Sequence, residues 1–173
     1  MGGHTNERRD FLNLLTVASG AVATGVALWP LVSSMNPASD VLAVASTDVD
    51  LSQVAVGQSI TIKWQGKPVF IRHRTEQEIN QAVADDGKGP DPANDTARVK
   101  KSQWLVLVGI CTHLGCIPSG QAAGSNRGEF GGWFCPCHGS QYDTSGRIRK
   151  GPAPKNLAVP PYQFVSDTLI KIG

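Results

Sequence analysis

The chain has 173 residues, which leaves room for one membrane segment and one globular domain of about 130 residues, a typical single-domain size. A formal net charge of only +2 and an ordinary hydrophobic content of 40% give no reason to expect binding to nucleic acid. The 19 glycines and 11 prolines favour a loop-rich, largely β body over a helix bundle.

The N-terminal segment has the features of an export signal that also serves as a membrane anchor. Arg8 and Arg9 are adjacent and are followed shortly by Phe and Leu, the pattern of a twin-arginine (Tat) signal. Residues 11–39 carry no charge. As a helix, residues 11–35 would span roughly 37 Å, enough to cross a hydrocarbon core of about 30 Å. We therefore predict a cytoplasmic tail over residues 1–10 and a transmembrane anchor over residues 11–35.

A cleaved signal peptide is the alternative, because Ala43-Val44-Ala45 offers a small-residue cleavage site. The uncharged stretch is long for a signal peptide and this site lies well beyond its end, so an uncleaved, single-pass anchor is favoured. The positive-inside rule then keeps the two arginines in the cytoplasm and puts the rest of the chain outside. Residues 36–46 form a small-residue connector, which would act as a hinge if the domain must move.

The remaining residues, 47–173, predict an all-β domain with one helical insertion. Apolar runs indicate short strands over Ile60–Trp64, Pro68–His73, Trp104–Ile110, Gln163–Val165 and Thr168–Ile172. The Gly66-Lys67 step resembles a hairpin turn. A capping-box pattern at Thr75 predicts a short helix to about Ala84, followed by an exposed loop over residues 85–95.

The cysteines indicate a site. All four lie between Cys111 and Cys137, together with two of the four histidines. They belong to two loops, Cys111-Thr-His113-Leu-Gly-Cys116 and Cys135-Pro-Cys137-His138-Gly-Ser140-Gln-Tyr142. Each loop supplies one cysteine–histidine pair and one extra cysteine.

Three alternatives compete for these residues. A structural zinc site is disfavoured because a single residue separates Cys111 from His113, too tight for the usual zinc knuckle, and because two cysteines stay unexplained. An all-cysteine [2Fe–2S] site would leave His113 and His138 without a role. Two disulfides without a metal have the same defect. The residues alone disfavour all three but leave them open.

Taken together, the two loops resemble the paired signature of the Rieske iron–sulfur proteins of quinol-oxidising cytochrome bc complexes, of the bacterial type. The resemblance extends through residues 131–134 and 146–154 and, with the anchor, connector and insertion, covers nearly the whole chain. It is a very specific two-loop motif. The resemblance implies a Rieske-type domain of antiparallel sheets, with a cluster-binding subdomain over about residues 109–155.

The resemblance also implies one [2Fe–2S] cluster, with Cys111 and Cys135 on one iron and His113 and His138 on the other. Two neutral imidazoles in place of two thiolates raise the potential, into a range of about −150 to +300 mV.

Further roles follow from the same resemblance. Cys116 and Cys137 would form a disulfide that ties the two loops together, which suits an oxidising exterior. The hydroxyls of Ser140 and Tyr142 would donate hydrogen bonds to a bridging sulfide and to the Cys111 thiolate, which raises the potential. The implied supporting loop consists of Gly151, Pro152, Ala153 and Pro154.

The implied function is that of the Rieske subunit of ubiquinol–cytochrome c oxidoreductase in the respiratory chain. His138, with His113 beside it and Leu114 and Gly115 as the quinol-contact loop, would take one electron and one proton from ubiquinol. The expected partners are a b-type cytochrome and a membrane-bound c-type cytochrome in a dimeric complex. The domain would lie on the periplasmic side of the bacterial inner membrane.

Other functions stay open at this point. A plastoquinol-oxidising complex is disfavoured by the helical insertion and by residues 146–154. The small subunit of a periplasmic oxidase, such as arsenite oxidase, is disfavoured by the long anchor. A structural zinc or disulfide domain would be colourless and redox-silent.

Overall fold

The computed structural model describes residues 4–36 and 45–173, without the side chains of residues 4–6. These residues form two units, a helix and a domain. The predicted connector 36–46 and the alternative cleavage site at Ala43–Ala45 lie largely outside the described residues.

The N-terminal unit is one helix, α1, from His4 to Ser33. Its segment Glu7–Ser33 has 27 residues and a mean hydropathy of 1.7, and none of it is buried. By length and composition this helix could cross a membrane, since 27 residues span about 40 Å. Pro30 lies inside the helix, which ends one turn later, after Ser33.

The domain consists of three antiparallel sheets of three strands each, which confirms the predicted fold class. The sheets have the strand orders β1-β9-β8, β2-β3-β4 and β5-β6-β7. The strands are β1 Thr47–Asp50, β2 Ser59–Trp64, β3 Lys67–His73, β4 Trp104–Val108, β5 Gly131–Phe134, β6 Gln141–Asp143, β7 Ile148–Lys150, β8 Tyr162–Phe164 and β9 Leu169–Ile172. The insertion between β3 and β4 holds helix α2, Glu76–Ala84, and a 3-10 turn, Asp95–Ala97.

Strands β3 and β4 of the sheet β2-β3-β4 are buried on both faces. Val69, Ile71 and Val106 pack in one core with the sheet β1-β9-β8. Phe70 and Leu107, which alternate with them, pack in a second core with the sheet β5-β6-β7. Successive side chains of a strand point to opposite faces, so a stretch that is covered on both sides carries consecutive apolar residues, as at positions 69–71 of β3. The second core also holds the two predicted cysteine ligands and thus supports the site from below.

Two local predictions can be compared directly. The capping box exists: the Glu78 backbone N–H donates to Thr75 Oγ1 and the Thr75 N–H to a Glu78 carboxylate oxygen, both at 3.2 Å. The hairpin turn comprises Gln65 and Gly66, one residue earlier than predicted, because Trp64 pairs with Lys67. Both turn residues have positive φ, 47° and 77°, as a two-residue hairpin turn requires.

The predicted exposed loop 85–95 is only partly exposed. Its Gly-rich middle faces solvent, but Asp85 and Asp95 are buried. Their carboxylates pair with Arg149 and Arg74, so the burial of these acids follows from partners that local sequence does not reveal.

Candidate metal centre

Two loops at one end of the sheet β5-β6-β7 carry the predicted site. Ligand loop 1, residues 111–116, follows β4, and ligand loop 2, residues 135–140, connects β5 to β6. Each loop is closed by a backbone hydrogen bond from its leading cysteine. The Cys111 N–H donates to the Cys116 carbonyl at 2.7 Å and the Cys135 N–H to the Ser140 carbonyl at 2.8 Å. Both loops therefore present a cysteine at their base and a histidine near their tip.

The disulfide predicted between Cys116 and Cys137 is present. It joins the two ligand loops and leaves Cys111 and Cys135 as free thiols, both only 2% exposed. The imidazole rings of His113 and His138, which lie edge to face, have their centroids 4.7 Å apart. The fold thus brings both predicted histidines together beside the loops that hold the two free thiols.

The unsatisfied atoms of these loops fit a metal cluster. His113 Nδ1 is buried without a hydrogen-bond partner in the described structure. A buried polar atom without a partner is costly, and ligation would satisfy it. Two thiols with two imidazoles are the donor set of a Rieske [2Fe–2S] centre. Cys116 and Cys137 also have sulfurs close to Cys135, within 4.8 Å, but as a disulfide they offer no thiolate.

Hydrogen bonds distinguish the two free thiols. The Tyr142 hydroxyl donates to Cys111 Sγ at 3.2 Å and accepts from the Thr112 N–H at 3.3 Å. Burial raises the pKa of the Cys111 thiol, but the hydrogen bonds to its sulfur, that from Tyr142 foremost, outweigh burial and bring the pKa below its ordinary value. Burial raises the pKa of the Cys135 thiol. The structure therefore favours negative charge on the Cys111 sulfur in particular.

Tyr142 itself stays protonated in this position. Burial, together with the bond to Cys111, raises the pKa of its phenol far above the ordinary value. The hydroxyl is thus held as a donor to the thiolate, which is the arrangement that the sequence resemblance implies.

The supporting loop, residues 151–154, packs against ligand loop 2. The Ala153 N–H donates to Ser140 Oγ at 3.2 Å, so the Ser140 hydrogen remains available for another acceptor. Gly151 has φ +102°, and a Cβ there would lie only 2.6 Å from Ser140 Cα. Only glycine allows this close approach, which fits the predicted scaffolding role.

The tip of the two ligand loops is exposed and apolar. Leu114 is 71% exposed, and Gly115 and His138 also face solvent. Ile117, 60% exposed, extends this apolar tip and was not predicted. Its signal was present in the sequence, as an apolar residue directly after a site cysteine.

Thr112 is a second residue that the sequence reasoning missed. Its Oγ1 donates to the Lys155 carbonyl at 2.6 Å, and its N–H donates to Tyr142. The residue therefore connects ligand loop 1 to the chain just beyond the supporting loop. A hydroxyl between a ligand cysteine and a ligand histidine was the available signal.

A cleft of about 650 Å³ lies elsewhere, between α2 and the sheet β5-β6-β7. None of the four candidate ligands lines it. Its walls carry Arg72, Arg127 and Arg149 together with Glu78 and Asp85, which pair with them. The candidate site is thus a projecting tip and not this concave pocket.

The chain is similar to known proteins over nearly its whole length. The family model described as "Rieske [2Fe-2S] domain" matches residues 47–162, and that described as "Ubiquitinol-cytochrome C reductase Fe-S subunit TAT signal" matches residues 1–38. The ubiquinol–cytochrome c reductase iron–sulfur subunit of Rhodospirillum rubrum is 60% identical over 172 residues, which cover 99% of this chain and 94% of that relative.

One further relative and one solved structure are also similar to this chain. The ubiquinol–cytochrome c reductase iron–sulfur subunit of Rhodobacter capsulatus is 49% identical over 185 residues, covering 96% of this chain and 95% of that relative. A solved structure described as "Hyperthermophilic respiratory Complex III" matches with a TM-score of 0.55 at 29% identity. That match covers 91% of this chain and 98% of the solved chain.

Proposed function

Because this chain belongs to the family of Rieske iron–sulfur subunits of ubiquinol–cytochrome c reductase, we propose that Cys111 and Cys135 hold one iron of its [2Fe–2S] cluster and His113 and His138 the other. Two buried thiols left free by the disulfide and the buried, unpartnered Nδ1 of His113 support this assignment. When bound, such a cluster supplies a one-electron acceptor whose potential is raised by its two neutral imidazole ligands.

The chain is a subunit of a ubiquinol–cytochrome c oxidoreductase complex. Within this complex it takes one electron and one proton from ubiquinol and passes the electron to a c-type cytochrome. We assign the quinol contact to His138, because it is exposed at the apolar tip, with His113 beside it. His138 accepts the hydrogen bond of the quinol hydroxyl and then its proton. Leu114 and Gly115 line the contact and exclude water from it.

The partners follow from the shape of the tip. Leu114 and Ile117 project into solvent, so a complementary surface is needed to enclose the quinol. We assign that surface to the b-type cytochrome, which also takes the second quinol electron. A membrane-bound c-type cytochrome then takes the electron that this chain delivers. As the family resemblance implies, the complex is dimeric.

The chain is a membrane-anchored protein of a bacterial complex. We propose that α1 crosses the inner membrane once, with Arg8 and Arg9 in the cytoplasm and the domain on the periplasmic side. The positive-inside rule supports this orientation, and the twin-arginine route carries folded cargo such as a domain that already holds its cluster. The disulfide suits the oxidising periplasm.

The single observation that carries the quinol-contact assignment is the exposure of Leu114, which directly follows the proposed ligand His113 in loop 1. Leu114→Asp should leave the cluster and its EPR signal in place but reduce quinol-dependent cytochrome c reduction at least tenfold, because a charge at the contact must be desolvated. Val165→Asp is the matched control, since Val165 is 57% exposed but lies next to β8 in another sheet. Equal activity of the two variants in the purified complex would refute the assignment.

A further inference from the structure

The turn between β6 and β7, residues 143–147, is buried over its whole length. Ser145, Asp143 and Arg147 have 0% exposure. Connecting segments ordinarily run over the protein surface, where water satisfies their polar groups. This turn directly follows Tyr142, whose hydroxyl donates to Cys111 Sγ.

Arg147 attaches the turn to the helical insertion. Its Nε donates to Asp143 Oδ2 at 2.8 Å within the turn. Its two Nη atoms reach across to the insertion, Nη1 to Asp86 Oδ1 at 2.7 Å and Nη2 to the Ala82 carbonyl at 2.6 Å. Nη1 also donates to the Ala93 carbonyl at 2.9 Å. One guanidinium therefore connects the turn to both ends of the loop that follows α2.

A second set of contacts holds the middle of the turn. Arg98 Nε donates to the Ser145 carbonyl at 2.8 Å. The Ser145 hydroxyl donates to Asp95 Oδ1 at 2.6 Å, and Arg74 holds Asp95 through two hydrogen bonds of 2.7 and 3.0 Å. The turn thus contacts the insertion on two sides, through buried polar and charged groups.

Asp143 connects the fixed turn to Tyr142. Its carboxylate Oδ1 accepts from the N–H groups of Ser145 and Arg147 at 2.9 and 3.0 Å, which closes the turn one residue after Tyr142. The Tyr142–Cys111 bond is 3.2 Å long, so a displacement of the turn by a fraction of an ångström would weaken it.

We propose that Arg147 is a positioning residue for Tyr142: by fixing the turn 143–147 to the insertion, it holds the Tyr142 hydroxyl against Cys111 Sγ and so contributes to the cluster potential. Through this contact the helical insertion, which supplies no ligand, contributes to the midpoint potential of the cluster. The inference deepens the proposed function, because it rests on Cys111 as a ligand and on Tyr142 as its donor.

The test is a double-mutant cycle of Arg147→Lys and Tyr142→Phe, measured by EPR-monitored redox titration of the detergent-purified complex. Lysine keeps the buried positive charge but loses the planar, multidentate donors, so a direct effect of charge on the cluster stays constant while the positioning is lost. The expected result is a lowered midpoint potential for Arg147→Lys alone and no additional lowering in the Tyr142→Phe background.

Arg72→Lys is the matched control. Arg72 is also a buried arginine bound to a carboxylate, but its side-chain hydrogen bonds go to Glu78 and Ser59. The turn meets Glu78 only at its backbone carbonyl, which accepts from Thr144 Oγ1 at 3.2 Å, and not at the carboxylate that Arg72 holds. Its midpoint potential should equal that of the wild type. Should Arg147→Lys fail to retain the cluster, Arg98→Lys replaces it in the same cycle, with the same expected result.

Four outcomes overturn the inference. An unchanged midpoint in Arg147→Lys contradicts it. A lowering that is equal with Tyr142 present and in the Tyr142→Phe background also contradicts it, because Arg147 would then act independently of the tyrosine. A lowering of the same size in Arg72→Lys is the third such outcome. The fourth is an unchanged midpoint potential in Tyr142→Phe alone. Tyr142 would then not contribute to the potential, and Arg147 could not act through it.

Discussion

The hydroxyl groups of Tyr142 and Ser140 are the groups that stabilise negative charge on the sulfur atoms of the candidate site. Tyr142 donates to Cys111 Sγ. Ser140 accepts from the Ala153 N–H and therefore has its own hydrogen free for the bridging sulfide that the resemblance assigns to it. Hydrogen bonds to sulfur stabilise the more negative, reduced cluster, so each should raise the midpoint potential.

Removal of either hydroxyl should therefore lower the potential. Ser140→Ala and Tyr142→Phe each lose one hydrogen bond worth about 1.4 kcal/mol to the reduced state, which corresponds to roughly 60 mV for a one-electron couple. Redox titration of the complex measures this shift. Tyr162→Phe is the control, because the Tyr162 hydroxyl is also bonded, to the Lys100 N–H, but lies in the other core. A residue whose variant keeps the wild-type potential has no tuning role.

Among the larger elements, ion pairs of buried arginines hold the insertion to the rest of the domain. Arg74, directly after β3, and Arg147, in the cluster-binding subdomain, are at most 2% exposed, and they pair with Asp95 and Asp86 of the insertion. Removing one partner of such a pair leaves an uncompensated buried charge, which is strongly destabilising. These pairs therefore make the position of the insertion sensitive to acid.

Asp95 should show this sensitivity. Although burial opposes it, the hydrogen bonds from Arg74 and Ser145, together with the charges of Arg74 and Arg147, hold the pKa of Asp95 below its ordinary value of 3.8. Because the pKa of Asp95 is lower in the folded than in the unfolded state, its ionised carboxylate stabilises the fold at pH values above 3.8. This stabilisation is lost as the pH falls through the folded-state pKa.

The variant Asp95→Asn should thus lower the free energy of unfolding at pH 7 by about 3 kcal/mol. The difference from the wild type should shrink as the pH falls below 3.8, where the wild-type carboxyl begins to lose its advantage. Urea unfolding at several pH values measures both effects. Asp167→Asn, at an exposed residue, should change little. A difference that stays constant down to the acid limit would contradict the assigned role of Asp95.

Local patterns predicted five of the nine strands that the structure describes and the helix α2, because each of these depends on neighbouring residues, but not the short strands β1, β5, β6 and β7. The apolar runs of β3 and β4 and the capping box at Thr75 are of this kind, and all are present. The turn at Gln65 was predicted one residue too late, because register depends on the pairing of whole strands. The buried Asp95 was missed because its partners, Arg74 and Ser145, lie 21 and 50 residues away in the chain.

The disulfide of the candidate site could be predicted for a different reason. The residue types and tight spacing of the two loops resemble a known family, and that resemblance implied the disulfide between Cys116 and Cys137, which the structure shows. Contacts with distant residues could not be predicted in this way. The hydroxyl of Thr112 was a signal in the sequence, but its partner Lys155 and the partners of Arg147 in and after α2 are apparent only in the folded chain.

In the whole molecule, a helix that could cross a membrane and the Rieske domain are joined by the connector 36–46. The described chain resumes at Ala45, whose carbonyl accepts a hydrogen bond of 2.7 Å from Trp64 Nε1, so this end of the connector already belongs to the domain. The connector is the candidate hinge for movement between quinol and cytochrome.

Stiffening the connector should slow turnover several-fold and leave the cluster unchanged. Prolines at Ala43 and Ala45 restrict the backbone, while the Ala45 carbonyl remains available to Trp64. Steady-state quinol–cytochrome c reduction, compared with the EPR signal of the same sample, separates the two effects. Turnover at the wild-type rate would show that the connector need not bend.

An EPR-monitored redox titration of the membrane-bound protein, with ascorbate as reductant, tests directly whether the chain holds a [2Fe–2S] cluster with mixed cysteine and histidine ligands. A cluster held by Cys111, Cys135, His113 and His138 predicts a rhombic Rieske signal on mild reduction, since mixed thiolate and imidazole ligation raises the potential. No signal at any potential, with zinc found by elemental analysis, would contradict the electron-transfer function and leave a structural metal site in its place.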